Sequence, residues 1–228
     1  MGAAGADGRR EAVRRGLSVG VATAVYGVSY GAVAVASGLS VLQACVTSAL
    51  LFSGGSQFAL VGVLGAGGSP AAAVGASTLL GVRNGLYGLQ LSPLLGLRGP
   101  RRVLAAHLTI DESTAVGVAG ADRDARSAGF WVAGVTVFVG WNAMTLVGAL
   151  AGDALGDPRR FGLDAAAAAA FLALLWPRLR GREPVAVAVA AALVAALCVP
   201  VLPVGLPVVA AALVALLAGV LGARRGAA

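Results

Sequence analysis

The chain contains no lysine, one histidine and two cysteines, and no polar stretch in it is long enough to fold on its own. Each shortage removes a class of function. One histidine and two cysteines make neither a disulfide framework nor a set of metal ligands at a recognisable spacing. Cys45 and Cys198 lie inside apolar runs, where a thiol behaves as a small hydrophobe. His107 has no nucleophile at a motif spacing, so the chain reads as a non-enzyme without metals or cofactors. Charge is scarce too. Charged residues make up 12% of the chain, and the 17 basic residues, all arginine, fall mainly in short loops and at the ends. Nucleic-acid binding needs them gathered on one face, so it is set aside.

Apolar residues are what the chain has in plenty. They make up 58% of it, and the mean hydropathy of +0.88 implies runs longer than a globular core holds. The expected fold class is an all-α integral membrane protein, multi-pass, with room for about seven spans of roughly 20 residues. The apolar segments are 17–36, 41–65, 70–96, 129–150, 164–177, 184–200 and 205–222. Turn formers flank them: Gly38-Leu39-Ser40, Gly67-Gly68-Ser69-Pro70, Gly99-Pro100, Gly156-Asp157-Pro158, and Pro200 with Pro203.

Arg9, Arg10, Arg14 and Arg15 precede the first run, and Arg224 and Arg225 follow the last. The positive-inside rule therefore makes 1–16 a cytoplasmic N-terminus, 17–222 a single transmembrane domain and 223–228 a cytoplasmic tail. The same N-terminus, with Ala34-Val35-Ala36, also fits a secretory signal peptide. The run has full spanning length and leads directly into more membrane, which favours an uncleaved first span. Two cytoplasmic ends require an even number of crossings. Segment 104–120 is then either a further crossing or a cytoplasmic or re-entrant helix, and its flanking arginines fit the excursion without deciding it.

Three polar motifs interrupt the apolar runs. Ser53-Gly54-Gly55-Ser56-Gln57 lies about 12 residues, or roughly 18 Å of helix, into its segment. Glycine leaves helical dihedrals at little steric cost, and a serine can cap a restarting half-helix, so 53–57 is expected to be non-helical, a break at mid-membrane facing a cavity near Arg83. Close packing of a continuous helix is the alternative. The amides of a half-helix would accept a carboxylate.

In the second motif, Arg83 is 13 residues from both Pro70 and Gly96, too central to snorkel. Asn84 and Tyr87 share its helix face, while Gly81 and Gly85 form a GxxxG pair open to a neighbouring helix. The cation needs a partner, either a substrate carboxylate or Asp111 and Glu112. The third motif is His107-Leu108-Thr109-Ile110-Asp111-Glu112. His107 and Asp111 are four apart, a spacing for proton handling, whereas Thr109 and Glu112 fit a capping box opening a helix at Ser113. Trp141 and Asn142 are weaker candidates, the first for packing or interface anchoring.

A faint repeat is also present. Gly38-Leu39-Ser40 recurs as Gly162-Leu163-Asp164, 124 residues on, each after a span ending in spaced glycines, Gly27/Gly31 and Gly148/Gly152. Three-helix repeats are a transporter feature, and Ala/Gly-rich spans also resemble one another by composition alone.

Taken together, the Gly38-Leu39-Ser40 turn, the cluster at 53–58, the Arg83–Gly88 block and Leu108–Glu112 resemble the AzlC family of branched-chain amino acid permeases, over about 17–222. The sequence departs from the family tendency at Gly55, where alanine is usual, and at Asn84, where histidine is common. The resemblance implies an exporter of branched-chain and similar hydrophobic amino acids in the bacterial inner membrane, working with a small AzlD-type membrane protein. On the physical reading Ser53, Gly54, Gly55, Ser56, Gln57, Arg83, Asn84 and Tyr87 bind substrate, and Asp111, Glu112 and His107 serve as proton or counter-ion sites. A second reading makes the chain an assembly subunit whose small partner carries substrate specificity.

Overall fold

The structure is a computed structural model that describes residues 3–155, 172, 175, 176 and 179–226; no strand occurs among them. Its helices are α1 (Ala3–Ala24), α2 (Gly27–Ala36), α3 (Val41–Leu50), α4 (Gly54–Gly65), α5 (Pro70–Leu95), α6 (Pro100–His107), α7 (Asp111–Ala119), α8 (Arg123–Leu155), α9 (Arg182–Cys198) and α10 (Leu206–Gly226). The expected segment 164–177 and the turn at Gly162 lie outside the described residues, apart from Leu172, Leu175 and Trp176.

Two helical stretches, Gly5–Ala36 and Arg123–Ala154, are long and apolar enough to cross a membrane. They pack side by side along a seam of glycines. A Cβ on Gly16 would lie 3.0 Å from Ala133 N, one on Gly20 2.7 Å from Thr136 Cβ, and one on Gly152 3.1 Å from Ala32 Cα. The numbers rise together on both sides, so the two helices run parallel. Without side chains at these positions the backbones approach far closer than Leu or Val would permit. The spaced glycines of the suspected repeat share this one interface: Gly27 and Gly31 face Trp141 and Thr145, while Gly148 and Gly152 face Val28 and Ala32.

Parallel spans impose a condition on the chain between them. α2 finishes where α8 finishes, while α8 starts beside α1, so residues 37–122 must return an odd number of times. One helix does it. α5 has 26 residues, about 39 Å of helix. It starts from a Ser69 N-cap whose Oγ accepts from Ala72 N, and it ends at Gly96 in the left-handed conformation (φ 61°). There Arg123, the first residue of α8, donates Nη2 to Leu95 O at 3.1 Å.

The segments on either side of α5 do not run the length of the bundle; each reaches mid-height and turns back. From the far end, Gly38 (φ 94°) turns the chain, and a capping box starts α3: Gln43 N donates to Ser40 Oγ and Ser40 N to Gln43 Oε1. Descending, Ser48 Oγ meets Thr145 Oγ1 at 3.2 Å and Phe52 meets Phe138 with ring centroids 5.0 Å apart. The direction then reverses. Gly54 packs on Trp141, Phe58 on Tyr30, and a Cβ on Gly65 would lie 2.7 Å from Ser37 Oγ, back at the end where α3 began. Segment 41–65 is therefore a helical hairpin and not the broken span expected from its length.

From the opposite end α6 rises to His107, whose ring lies 5.5 Å from Phe138, and α7 descends so that Arg126 Nε donates to Gly120 O. Segment 104–120 supplies most of the rising arm and the returning arm of a second hairpin, turning at mid-height of the bundle. The expected Thr109–Glu112 capping box does not form. Thr109 Oγ1 instead donates to Ala105 O at 2.7 Å, and Ser113 Oγ accepts from Ile110 N at 3.0 Å while reaching Leu108 O at 2.6 Å.

α9 and α10 form an antiparallel pair. Glu183 lies near Gly222, and the connecting turn at Gly205 (φ 98°) packs on Ala72. Arg9, Arg10, Arg14, Arg15, Arg98, Arg101, Arg102, Arg123 and Arg126 all gather at the end where α1 and α8 begin, hereafter the basic end. The far-end connections 37–40, 66–69 and 199–205 carry no arginine.

Candidate functional site

The two hairpin tips, Leu51–Ser53 and Leu108–Ile110, meet at mid-height of the bundle, where Phe52 lies 5.9 Å from His107 ring to ring. A third interruption joins them. Between α1 and α2 the ladder tightens to Tyr26 N→Thr23 O and Val28 N→Val25 O bonds, so the first long helix bends at Val25–Tyr26. Together these three breaks border a cavity of about 170 Å³.

Its polar wall comes from three helices. Ser53, Gly54 and Gly55 form the start of α4; Arg83 and Asn84 come from mid-α5; Asp111 and Glu112 open α7. Phe52, Phe58, Ile110, Val137 and Trp141 supply an apolar wall, and Thr23 and Tyr26 line the bend. Arg83 Nη1 donates to Asp111 Oδ2 at 2.8 Å, with the two side chains 31% and 23% exposed. The first amides of α4 have no intrahelical acceptor and carry the positive end of its dipole. Ser53 is extended (φ −161°, ψ 102°) and 5% exposed, and its Oγ makes no hydrogen bond among the described residues. Gly55 brings this turn onto the guanidinium: an added Cβ would sit 2.9 Å from Arg83 Nη2.

The AzlC protein family matches residues 18–155. The chain belongs to the AzlC family. That match takes in both hairpins, α5, α8 and every cavity residue, and leaves α9 and α10 outside it. An uncharacterized membrane protein of Archaeoglobus fulgidus is 32% identical over 156 residues, which is 68% of this chain and 68% of the relative. No solved structure matches. The chain is accordingly a membrane protein of a transporter-type family, and the resemblance that the sequence carried is shown.

In this AzlC-family chain the expected site residues divide into two groups. Ser53, Gly54, Gly55, Arg83, Asn84, Asp111 and Glu112 line the cavity, whereas Ser56, Gln57, Tyr87 and His107 do not. Only Leu51–Ser53 is non-helical. Gly54–Gln57 is the first turn of α4, because packing on Trp141 and Arg83 holds both glycines in helical geometry. Gln57 is fully buried: Nε2 donates to Ser48 O at 3.1 Å and Leu51 O at 2.9 Å, and Oε1 accepts from Trp141 Nε1 at 2.8 Å. Its amide is consumed in bracing the tip. Ser56 is also fully buried and packs on Gly81. Gly85, the second glycine of the expected pair, meets nothing within 4 Å. His107 ends α6 and Asp111 begins α7, so the spacing of four does not place them on one helix face.

Sequence reasoning missed Thr23, Tyr26, Phe52, Phe58, Ile110 and Val137 as walls, and it gave Trp141 only a packing or interface role. A tryptophan at the centre of a long apolar helix, far from either end, was the available signal.

Proposed function

We propose that this chain is a secondary transporter exporting branched-chain and related hydrophobic amino acids across the bacterial inner membrane, coupled to protons and assisted by a small AzlD-type partner. One observation carries it. A cation, two carboxylates and a helix N-terminus share one mid-height cavity with an aromatic and aliphatic wall. That set complements a zwitterion with an apolar side chain: Arg83 and the α4 amides would take the carboxylate, Asp111 and Glu112 the ammonium or a proton, and Phe52, Phe58 and Trp141 the side chain. Without substrate, Arg83 and Asp111 neutralise each other. Substrate entry would exchange an internal ion pair for two external ones, which keeps both charges compensated throughout. In cells loaded with isoleucine, expression of the chain with its small partner should speed efflux severalfold. Equal retention with and without the chain would overturn the proposal.

Topology follows from charge. Arginines gathered at the basic end favour its placement in the cytoplasm. α1–α2, α5, α8, α9 and α10 would then cross, the two hairpins would enter from opposite faces, and the start of α1 and the end of α10 would both lie at the cytoplasmic side. A single cysteine introduced by Arg101→Cys, in a variant lacking Cys45 and Cys198, should react with a membrane-impermeant thiol reagent only in inverted vesicles. Labelling in right-side-out cells would reverse the orientation.

A further inference from the structure

Besides the central cavity, a second cleft of about 210 Å³ lies between α5 and α6. It begins near Gly85 and Thr109 at mid-height and runs to Leu95 and Arg102 at the basic end. Ten residues of α5 separate Gly85 from Leu95, about 15 Å of helix and half of a roughly 30 Å hydrocarbon core. The cleft therefore has the depth of one leaflet. Its wall is small and largely aliphatic, with Ser92 and Thr109 the hydroxyls along it: Gly85 and Gly88 leave open space within 4 Å, and Leu89 beside them is 73% exposed. Its mouth is cationic. Arg102 lines it, the exposed Arg98 and Arg101 lie within four residues of Arg102 in the chain, and none of the three forms an ion pair among the described residues.

We propose that this cleft seats one anionic phospholipid of the leaflet at the basic end, its acyl chain along Gly85–Leu95 and its phosphate on Arg98, Arg101 and Arg102. Charge complementarity selects this occupant. An apolar helix of a partner would fill the groove but would leave three arginines unanswered at headgroup depth, where clustered arginines bind anionic lipid. α6 suits the role, since its Val103 is 73% exposed and turns an apolar edge outward just above Arg102. The inference rests on the topology proposed above, but it fails separately, because lipid binding is read on purified protein whatever the orientation.

The test uses the full chain purified in detergent, with phosphatidylglycerol or phosphatidylcholine titrated in and retained lipid measured by native mass spectrometry. At roughly fivefold per arginine, the preference for phosphatidylglycerol should be on the order of 100-fold. Replacing all three residues together (Arg98→Gln, Arg101→Gln, Arg102→Gln) should reduce that preference to near unity. Gly88→Leu, whose side chain enters open space and should fold normally, should abolish retention of both lipids. Equal retention of the two lipids by the unaltered chain would overturn the proposal. So would an undiminished preference in the triple variant, normal retention by Gly88→Leu, full displacement by inorganic phosphate, or a small membrane protein found in the cleft in place of lipid.

Discussion

Arg83→Ala is expected to abolish measurable efflux and to lower the unfolding midpoint in detergent by roughly 5–10 °C. The structural share comes from the 2.8 Å bond to Asp111. Breaking a fully buried pair costs about 3–5 kcal/mol, and with the side chains 31% and 23% exposed the cost here is about 2–3 kcal/mol. Asp111→Asn removes the same pair from the other side and leaves a guanidinium at mid-height without its counter-ion. The double variant Arg83→Gln, Asp111→Asn separates the two roles. Two neutral amides can hydrogen bond, so most of the stability should return while efflux stays absent, because the substrate carboxylate then meets no cation and its ammonium only Glu112. If efflux returned with stability, the pair would be structural and the substrate site would lie elsewhere.

Ser53, Arg83 and Asp111 were legible in the sequence for one physical reason. A polar or charged group deep in an apolar run is expensive, so each advertises itself, and Asp111 and Glu112 stood beside a substrate carboxylate as the two partners open to a buried cation. The all-helical class and most helix ends were legible as well, because serine caps at Ser40 and Ser69 and glycine turns at Gly38 and Gly96 act locally. The reversal at Leu51–Ser53 was not. A broken span and a hairpin tip have the same local sequence, and what distinguishes them here is Gly65 against Ser37, fixed by packing across the whole segment. Thr109 misled for a related reason. Its hydroxyl had two local partners open to it, the Ala105 carbonyl as an acceptor and the Glu112 amide as a donor, and α6 ending at His107 gave it Ala105 O while α7 began without it as a cap.

Gln57→Leu is expected to destabilise the chain by about 2–4 kcal/mol and to loosen the α3–α4 tip, although Gln57 does not touch the cavity. The sequence reading gave Gln57 to the substrate because it is polar and deep. Its actual partners are two carbonyls of its own hairpin and a tryptophan 84 residues away, which no local pattern signals. Leucine removes two donors and one acceptor at once, leaving Trp141 Nε1 and the carbonyls of Ser48 and Leu51 to lose their partner in a site with no exposure at Gln57. Gln57→Glu discriminates further. It keeps an acceptor for Trp141 but sets a carboxylate against two carbonyl oxygens, so it should be at least as harmful as leucine, whereas Trp141→Phe, which breaks one bond, should cost about 1–2 kcal/mol. The functional consequence runs through the tip. Gly54 and Gly55 follow directly on the braced turn and hold the amides beside Arg83, so freeing the brace should raise hydrogen exchange at residues 51–56 at least tenfold and weaken substrate affinity more than maximal flux. Unchanged exchange at 51–56 in Gln57→Leu would show that the tip is held by Ser48–Thr145 and ring packing alone, and would remove Gln57 from the account of the site.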